Sequence, residues 1–330
     1  MPSAQDKIRI ALIYGGRSGE HDVSVRSAAS VRAALDATRY EVTDFFITKE
    51  GKWTPSALSP EPGGNPGIDV AFPILHGTFG EDGTVQGLLE LAALPYVSAG
   101  VLASAISMDK AMTKRLCQQA NLPVVEYVAL TRMCIEKGTI SLPFAYPVFV
   151  KPANLGSSVG ISKVRTAAEL MDALRLAARF DNAVVIERAV TGREFECAVL
   201  GGDPPQASVP CEIFPSQEFY NYEDKYLLDQ ARIDLPAKLS GGQTAEMQRL
   251  AVAAFQAVNC ECMARVDFLM DGATGQFYIN EINTIPGFTS ISMFPKMWEY
   301  SGIPYAKLLD RLIQLALERA RMRSQTQYAL

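Results

Sequence analysis

The stretch from Cys262 to Met293, CMARVDFLMDGATGQFYINEINTIPGFTSISM, leaves few options for the chain around it. Two apolar runs, Met263 to Met270 and Gln276 to Ile282, flank Asp271-Gly272-Ala273-Thr274-Gly275. A short glycine-containing connector between β-prone runs predicts a hairpin. Side chains alternate faces along a strand, so Arg265 and Asp267 share one face of the first strand, and Glu281 and Asn283 share one face of the second. All four have the same parity about the turn and are expected to converge, with Val266, Phe268 and Ile282 filling the opposite face. Oxygen donors without soft ligands suit a hard cation, of which Mg²⁺ carrying nucleotide phosphates is the commonest case. Taken alone, Asp267 and Glu281 read rather as a solvated hairpin face with an incidental ion pair. The run Asn283-Thr284-Ile285-Pro286-Gly287-Phe288 adds a Pro-Gly turn, whose backbone N–H groups suit a developing oxyanion.

The 330 residues are 48% hydrophobic and 20% charged, which allows two or three domains with a large core. A net charge of −5 and the lack of any long Lys/Arg block argue against a nucleic-acid partner. The apolar run near the N-terminus stops at Gly15, short of the roughly 20 residues of a membrane span, and has no signal-peptide layout. Six cysteines include no C-x-x-C pair and no His-rich neighbourhood, so the expectation is reduced thiols in the cytoplasm, with no zinc site or disulfide framework.

Ile8 to Tyr14 reads as a buried parallel strand, closed by Gly15-Gly16 and followed by a helix over about Val23 to Leu35. Strand, Gly-rich turn and helix open an α/β sheet, in which ligands lie outside the carboxyl ends of the strands. Glu20, beside the helix start, is open between capping that helix and holding a substrate ammonium. Val42 to Ile47 and Val70 to Leu75 predict two more strands, the second leading into His76-Gly77-Thr78-Phe79-Gly80-Glu81-Asp82-Gly83. His76 reads either as a surface residue in a turn or as a substrate contact. Thr84 to Ala93 is expected to be helical and Pro95 to Val97 a short strand.

A helix from Lys110 to about Ala120 places a domain boundary near residues 100 to 108. Lys110 sits just inside the helix start, where a cation is unfavourable, and so points to an anionic partner. Pro147 to Pro152 predicts a strand carrying Lys151. The small-residue loop Ala153 to Gly160 then forms either a plain hairpin or a lid whose N–H groups and hydroxyls close over phosphates. It is not a Walker A loop. Val184 to Val190 and Gly192 to Glu196 read as strand, turn, strand. Gln217 to Asp229 is polar, aromatic and aperiodic: a long loop, either a surface excursion or functional. Further helices are expected over Gly241 to Asn259 and Tyr305 to Met322, with the last eight residues frayed.

In their order along residues 8 to 320, these motifs resemble the D-alanine–D-alanine ligases of the ATP-grasp superfamily. The resemblance rests on G-G-x-S-x-E ending at Glu20, H-G-x-x-G-E-D-G from His76, V-K-P with its Gly/Ser loop, R-V-D-F from Arg265, and N-E-I-N-T-I-P-G-F-T-S from Asn280. It implies an α/β chain with the ATP-grasp fold and an N-terminal open parallel α/β domain, divided as residues 1–105, 106–195 and 196–330. It implies that Glu20 holds the amino group of a first D-alanine and that His76 lies near its carboxylate and the phosphoryl group. Lys110, Lys151 and Ser158 would meet phosphates, with Ser157 near the substrate. Glu187 and the backbone from Arg188 to Val190 would meet adenine, and Glu194 the ribose hydroxyls. Lys225 would contact the γ-phosphate, and Tyr226 would bond toward Ser157 and Glu20. Asp267, Glu281 and Asn283 would hold two Mg²⁺ or Mn²⁺ ions, Arg265 and the Gly287 N–H would stabilise an oxyanion, and Ser292 and Met293 would line the second substrate's pocket.

The implied reaction is ATP-dependent joining of two D-alanines through a D-alanyl phosphate, for peptidoglycan precursors, in a homodimer. Asp224-Lys225-Tyr226 stands where relatives that take D-lactate commonly have a His, which favours an amine as second substrate. Ile291 stands where some members have a His, which bears only on fine specificity. A different carboxylate–amine ligase would be expected to lack Glu20, His76 and Tyr226 together.

Overall fold

The computed structural model describes residues 7–138, 140–156, 159–214 and 232–327. It contains three sheets, each built from a different part of the chain. The first is formed by β1 (Ile8–Gly15), β2 (Tyr40–Ile47), β3 (Trp53–Thr54) and β4 (Val70–Ile74), in the order β3-β2-β1-β4. β1 runs parallel to both β2 and β4, and its apolar run, interrupted only by Arg9, suits a strand buried on both faces. Helix α1 (His21–Ala34) follows the Gly15-Gly16 turn, and α2 (Thr84–Leu91) follows the segment that carries His76. Both turn glycines have φ near +94°, and a Cβ on Gly15 would lie 2.1 Å from the Ile47 carbonyl oxygen, so only glycine fits. Pro95 to Val97 contributes a single parallel bridge, Ala71 to Tyr96.

Helices α3 (Val101–Met108) and α4 (Lys110–Gln119) lead to the second sheet. Asp109 caps α4 by accepting the Met112 N–H. That sheet consists of β5 (Tyr127–Thr131), β6 (Val148–Pro152), β7 (Ser162–Val164) and β8 (Ala183–Arg188), ordered β5-β8-β6-β7 and antiparallel throughout. Helices α5 (Arg132–Lys137) and α6 (Ala167–Ala177) cover one face, where Leu170, Leu174, Val148 and Ile186 form the core.

The third sheet holds β9 (Gly192–Leu200), β10 (Gln206–Ala207), β11 (Cys211–Phe214), β12 (Arg232–Asp234), β13 (Met263–Asp271) and β14 (Phe277–Asn283). β9 pairs with β13 along its whole length, so the strand crosses the 195/196 division expected from sequence without a break. Helix α7 (Gly241–Ala257), opened by the capping box of Ser240 and Gln243, packs Leu250, Ala251 and Phe255 onto this sheet. Helices α8 (Met293–Tyr300) and α9 (Tyr305–Arg323) close the chain. Leu308, Leu312 and Ile313 of α9 share a core with Phe72 of β4, Phe288 and Phe294. Each fully buried Leu or Phe of this kind contributes about 1.5–3 kcal/mol. Arg319 anchors the same helix to the first sheet by donating to the Tyr96 and Ser98 carbonyls, each at 2.7 Å. Arg323, expected to fray, is the last residue of α9 and pairs with Glu90 and Glu261. No helix among the described residues is long and apolar enough to cross a membrane.

Candidate active site

The hairpin β13–β14 pairs Arg265 with Asn283 and Asp267 with Glu281, while Val266 lies opposite Ile282. Val266, Phe268 and Ile282 are buried on the other face. Between Asp267 and Phe268 the register slips, because Asn280 is an extra residue in β14. The slip brings the Asn280 amide oxygen to 3.5 Å from Lys151 Nζ on β6, so the bulge faces the second sheet. Arg265 donates two hydrogen bonds of 2.6 Å to the Asp267 carboxylate and lies 3.4 Å from Glu196 of β9. The Asn283 side-chain N–H donates to Asp267 at 3.1 Å. Burial pushes the Asp267 carboxyl up to about 7, with the Glu196 and Glu281 charges adding to it and Arg265 opposing.

A cavity of about 430 Å³ lies between this face and the second sheet. Lys110, Lys151, Glu187, Glu194, Asp267 and Glu281 all line it, and the Arg188–Val190 backbone forms one rim. Phe149 and Ile161 give it an apolar wall. Lys110 Nζ donates to the Leu155 carbonyl at 2.6 Å, placing its charge against the loop after β6. Glu187 is buried with its two oxygens 3.2 Å from Lys114 and 2.8 Å from Lys151. Burial alone would raise the Glu187 carboxyl, but the two ammonium groups outweigh it and hold it down at about 2. Arg188 pairs with Glu126 at 2.5 Å, and its backbone N–H donates to the Glu126 carbonyl.

Gly156 lines the cavity and also borders a second cluster, since a Cβ there would lie 3.4 Å from Glu20 Oε2. Glu20 is buried at the N-cap position of α1, yet its side chain makes no cap bond to the helix. It faces Gly77, where a Cβ would come within 3.0 Å of the same oxygen. His76 is buried beside it, its Nδ1 2.9 Å from the Ile285 carbonyl. Burial lowers the His76 pKa; the nearby Glu20 charge opposes that and Arg265 reinforces it. Glu81 accepts the Gly77 and Ile285 N–H groups, and burial followed by the Glu20 charge pushes its carboxyl up to about 8. Gly287 faces Ser292, whose Oγ would stand 2.7 Å from a Cβ at that position. Ser292 Oγ accepts the Thr289 N–H at 3.0 Å, while Met293 is buried in the core with Phe288 and Phe294.

The fold thus brings together Glu20, His76, Lys110, Lys151, Glu187, Glu194, the Arg188–Val190 backbone, Arg265, Asp267, Glu281, Asn283, Gly287 and Ser292 from all three sheets and their loops. Ser157, Ser158, Lys225 and Tyr226 lie outside the described residues. Among the described residues no three His, Cys, Asp or Glu side chains form a metal-holding group; the set read from sequence has two carboxylates and one amide. Sequence reasoning passed over Lys114, Glu81 and Glu196. Lys114 carried a signal, since four residues after Lys110 it shares that residue's helix face. Glu81 stood inside the quoted His76 motif and Glu196 one strand period from Glu194.

The D-ala D-ala ligase N-terminus family model matches residues 9–65 and 59–99, and the D-ala D-ala ligase C-terminus model matches residues 116–314. A D-alanine–D-alanine ligase of Solibacter usitatus is 60% identical over 325 residues, covering 98% of this chain and 99% of the relative. One from Chloroherpeton thalassium is 45% identical over 356 residues, covering 95% and 97%. Among solved structures, the D-alanine–D-alanine ligase of Coxiella burnetii superposes with a TM-score of 0.84 at 35% identity, covering 97% of each chain. The VanG D-Ala:D-Ser ligase of Enterococcus faecalis gives 0.85 at 33% identity, covering 94% of this chain and all (100%) of the other. With both family models matched in order and the ATP-grasp fold of these ligases in place, the chain belongs to the D-alanine–D-alanine ligase family.

Proposed function

We propose that the chain joins two D-alanines to D-alanyl-D-alanine, with ATP converted to ADP and phosphate through a D-alanyl phosphate, for peptidoglycan precursor synthesis. The observation that carries the reading is the shared wall at Gly156, which separates the Lys- and carboxylate-lined cavity from Glu20 and His76. A carboxylate is a poor electrophile and must be activated before an amine can displace its oxygen, so phosphate donor and amino acid need adjoining sites. Lys110 and Lys151 set positive charge against the phosphates, the electrostatic contribution that dominates phosphoryl transfer. Glu20 takes the ammonium of the first D-alanine, and neutral His76 borders its carboxylate. Arg265 and the Gly287 N–H receive the oxyanion formed when the second amine attacks.

Asp267, Glu281 and Asn283 are the residues that would hold Mg²⁺ or Mn²⁺, as two ions. Mg²⁺ asks little of the protein, typically one or two carboxylates with phosphate oxygens completing its shell, and this donor set is entirely hard. Burial, more than the neighbouring Glu196 and Glu281 charges, raises the Asp267 carboxyl, and a cation held there would favour its charged form. When bound, the ion supplies positive charge to the ATP phosphates. The three sheets support a three-part division with the last boundary before Gly192. A cytoplasmic homodimer is the assembly we infer from the family.

The test is D-alanine-dependent ADP release with Mg²⁺, the product identified by mass, beside D-lactate and D-serine as second substrates. Preferential formation of D-alanyl-D-alanine is expected. ATP binding without turnover on any of the three would overturn the reading.

A further inference from the structure

Ser27 lies on the inner face of α1, fully buried, where α1, the His76 segment and the Pro286-Gly287 turn meet. The Phe288 N–H donates to Ser27 Oγ at 3.2 Å. His76 Nε2 stands 3.5 Å from the same oxygen, and His76 Nδ1 stands 2.9 Å from the Ile285 carbonyl oxygen. A carbonyl only accepts, so Nδ1 carries the proton in the Ile285 bond. In the neutral ring Nε2 is then a lone pair, and the Ser27 O–H is the donor that faces it. The donors and acceptors form one directed series, from Phe288 N–H to Ser27, from Ser27 O–H to His76, and from His76 Nδ1–H to Ile285. It begins and ends on the two flanks of Pro286-Gly287. Glu81 accepts the Ile285 N–H at 3.4 Å, a third hold on the same turn.

We propose that Ser27 is a positioning residue for ligation: its O–H, facing His76 Nε2, reinforces the Nδ1–H tautomer that the Ile285 carbonyl selects and ties that ring to the turn carrying the Gly287 N–H. The proposal rests on the ligase reading. The side chains meant to meet the substrate carboxylate and the oxyanion come from separate sheets, and a displacement of about 1 Å between such groups can cost on the order of 10²-fold in rate. A single hydroxyl bonded to the His76 ring and to the Phe288 N–H next to Gly287 restricts that freedom.

The chain has only two histidines, His21 and His76, so the ring nitrogens of the histidine-labelled enzyme can be assigned in ¹⁵N spectra with one His21→Gln control. In Ser27→Ala, which removes one buried oxygen, kcat for D-alanine-dependent ADP release is expected to fall about 10- to 100-fold with KM for ATP little changed. The His76 nitrogens should move from the pure Nδ1–H pattern toward a mixture of tautomers. Ser27→Thr, which keeps the hydroxyl, should restore both. An unchanged kcat overturns the proposal, as does a lower kcat with an unchanged His76 spectrum, which would assign Ser27 to packing alone. If Ser27→Ala fails to fold, loss of the tautomer pattern in folded Ser27→Thr overturns it and retention supports it. Wild-type enzyme without D-alanine turnover would sink the ligase reading, while the tautomer measurement would still report on Ser27.

Discussion

Lys114 is 1% exposed and pairs with Glu187, which it shares with Lys151. Two ammonium groups share this one carboxylate, and burial lowers the Lys114 pKa while Glu187 opposes it. Removing one buried partner is strongly destabilising, because the charge left behind has lost part of its compensation. Lys114→Met should therefore cost about 3 kcal/mol at neutral pH, measured by urea unfolding. The pH dependence has a definite sign. Glu187 is held at about 2 against an ordinary 4.5, so its contribution is fully present above 4.5 and is lost as pH falls toward 2. The gap between wild type and Lys114→Met should accordingly narrow across that window. A gap that stays constant from pH 7 to pH 3 would show that packing, not charge, is what Lys114 provides.

At the scale of elements, the hairpin was legible because strand parity is a property of the backbone. Arg265 and Asp267 share a face by alternation, as do Glu281 and Asn283. The register set at the turn, Met270 opposite Phe277, would leave the two pairs on opposite faces; the one-residue bulge at Asn280 brings all four together. The bulge at Asn280 was not legible, since it depends on what packs across from β14, here Lys151 on another sheet. The Pro-Gly turn is similar: its residues are plain in the sequence, but its contact with Ser292 is not. A Cβ on Gly287 would meet Ser292 Oγ at 2.7 Å, so Gly287→Ala must move the turn or the start of α8. A fall in kcat of about 10²-fold is expected, consistent with loss of one oxyanion donor's alignment. Adding Ser292→Ala removes the clashing oxygen and should recover part of that loss; no recovery in steady-state kinetics would place the fault in backbone flexibility instead.

For the whole molecule, the first sheet and the third are joined through α9. Arg319 is 6% exposed, donates to the Tyr96 and Ser98 carbonyls, pairs with Glu261 at 3.3 Å and stacks its guanidinium 4.2 Å from the Tyr96 ring centre. Truncating it leaves two buried carbonyls without donors, a penalty of about 1–3 kcal/mol for each. Arg319→Ala should lower the urea midpoint and raise KM for D-alanine, because Glu20 and His76 belong to the first sheet's loops. ATP affinity, measured by calorimetry, should change little, since the cavity lies between the second and third sheets. Equal losses for both ligands would indicate general unfolding rather than a loosened first sheet.

Local chemistry made the strands, the helices, the turn glycines and the alternation within each strand of the hairpin readable, because periodicity and glycine conformational freedom act over a few residues. It also left Glu20 open between cap and ligand, and placed a domain division inside β9. Those questions turned on contacts between residues far apart in the chain. Glu20 makes no cap bond because Gly77 and Gly156, distant in sequence, leave it a buried pocket instead. Lys114 became a buried charge only when β8 brought Glu187 against α4. Which polar groups are buried together, and so which pKa values shift and which tautomer His76 holds, was decided by the packing of three sheets, since desolvation and charge pairing depend on distance in space and not in sequence.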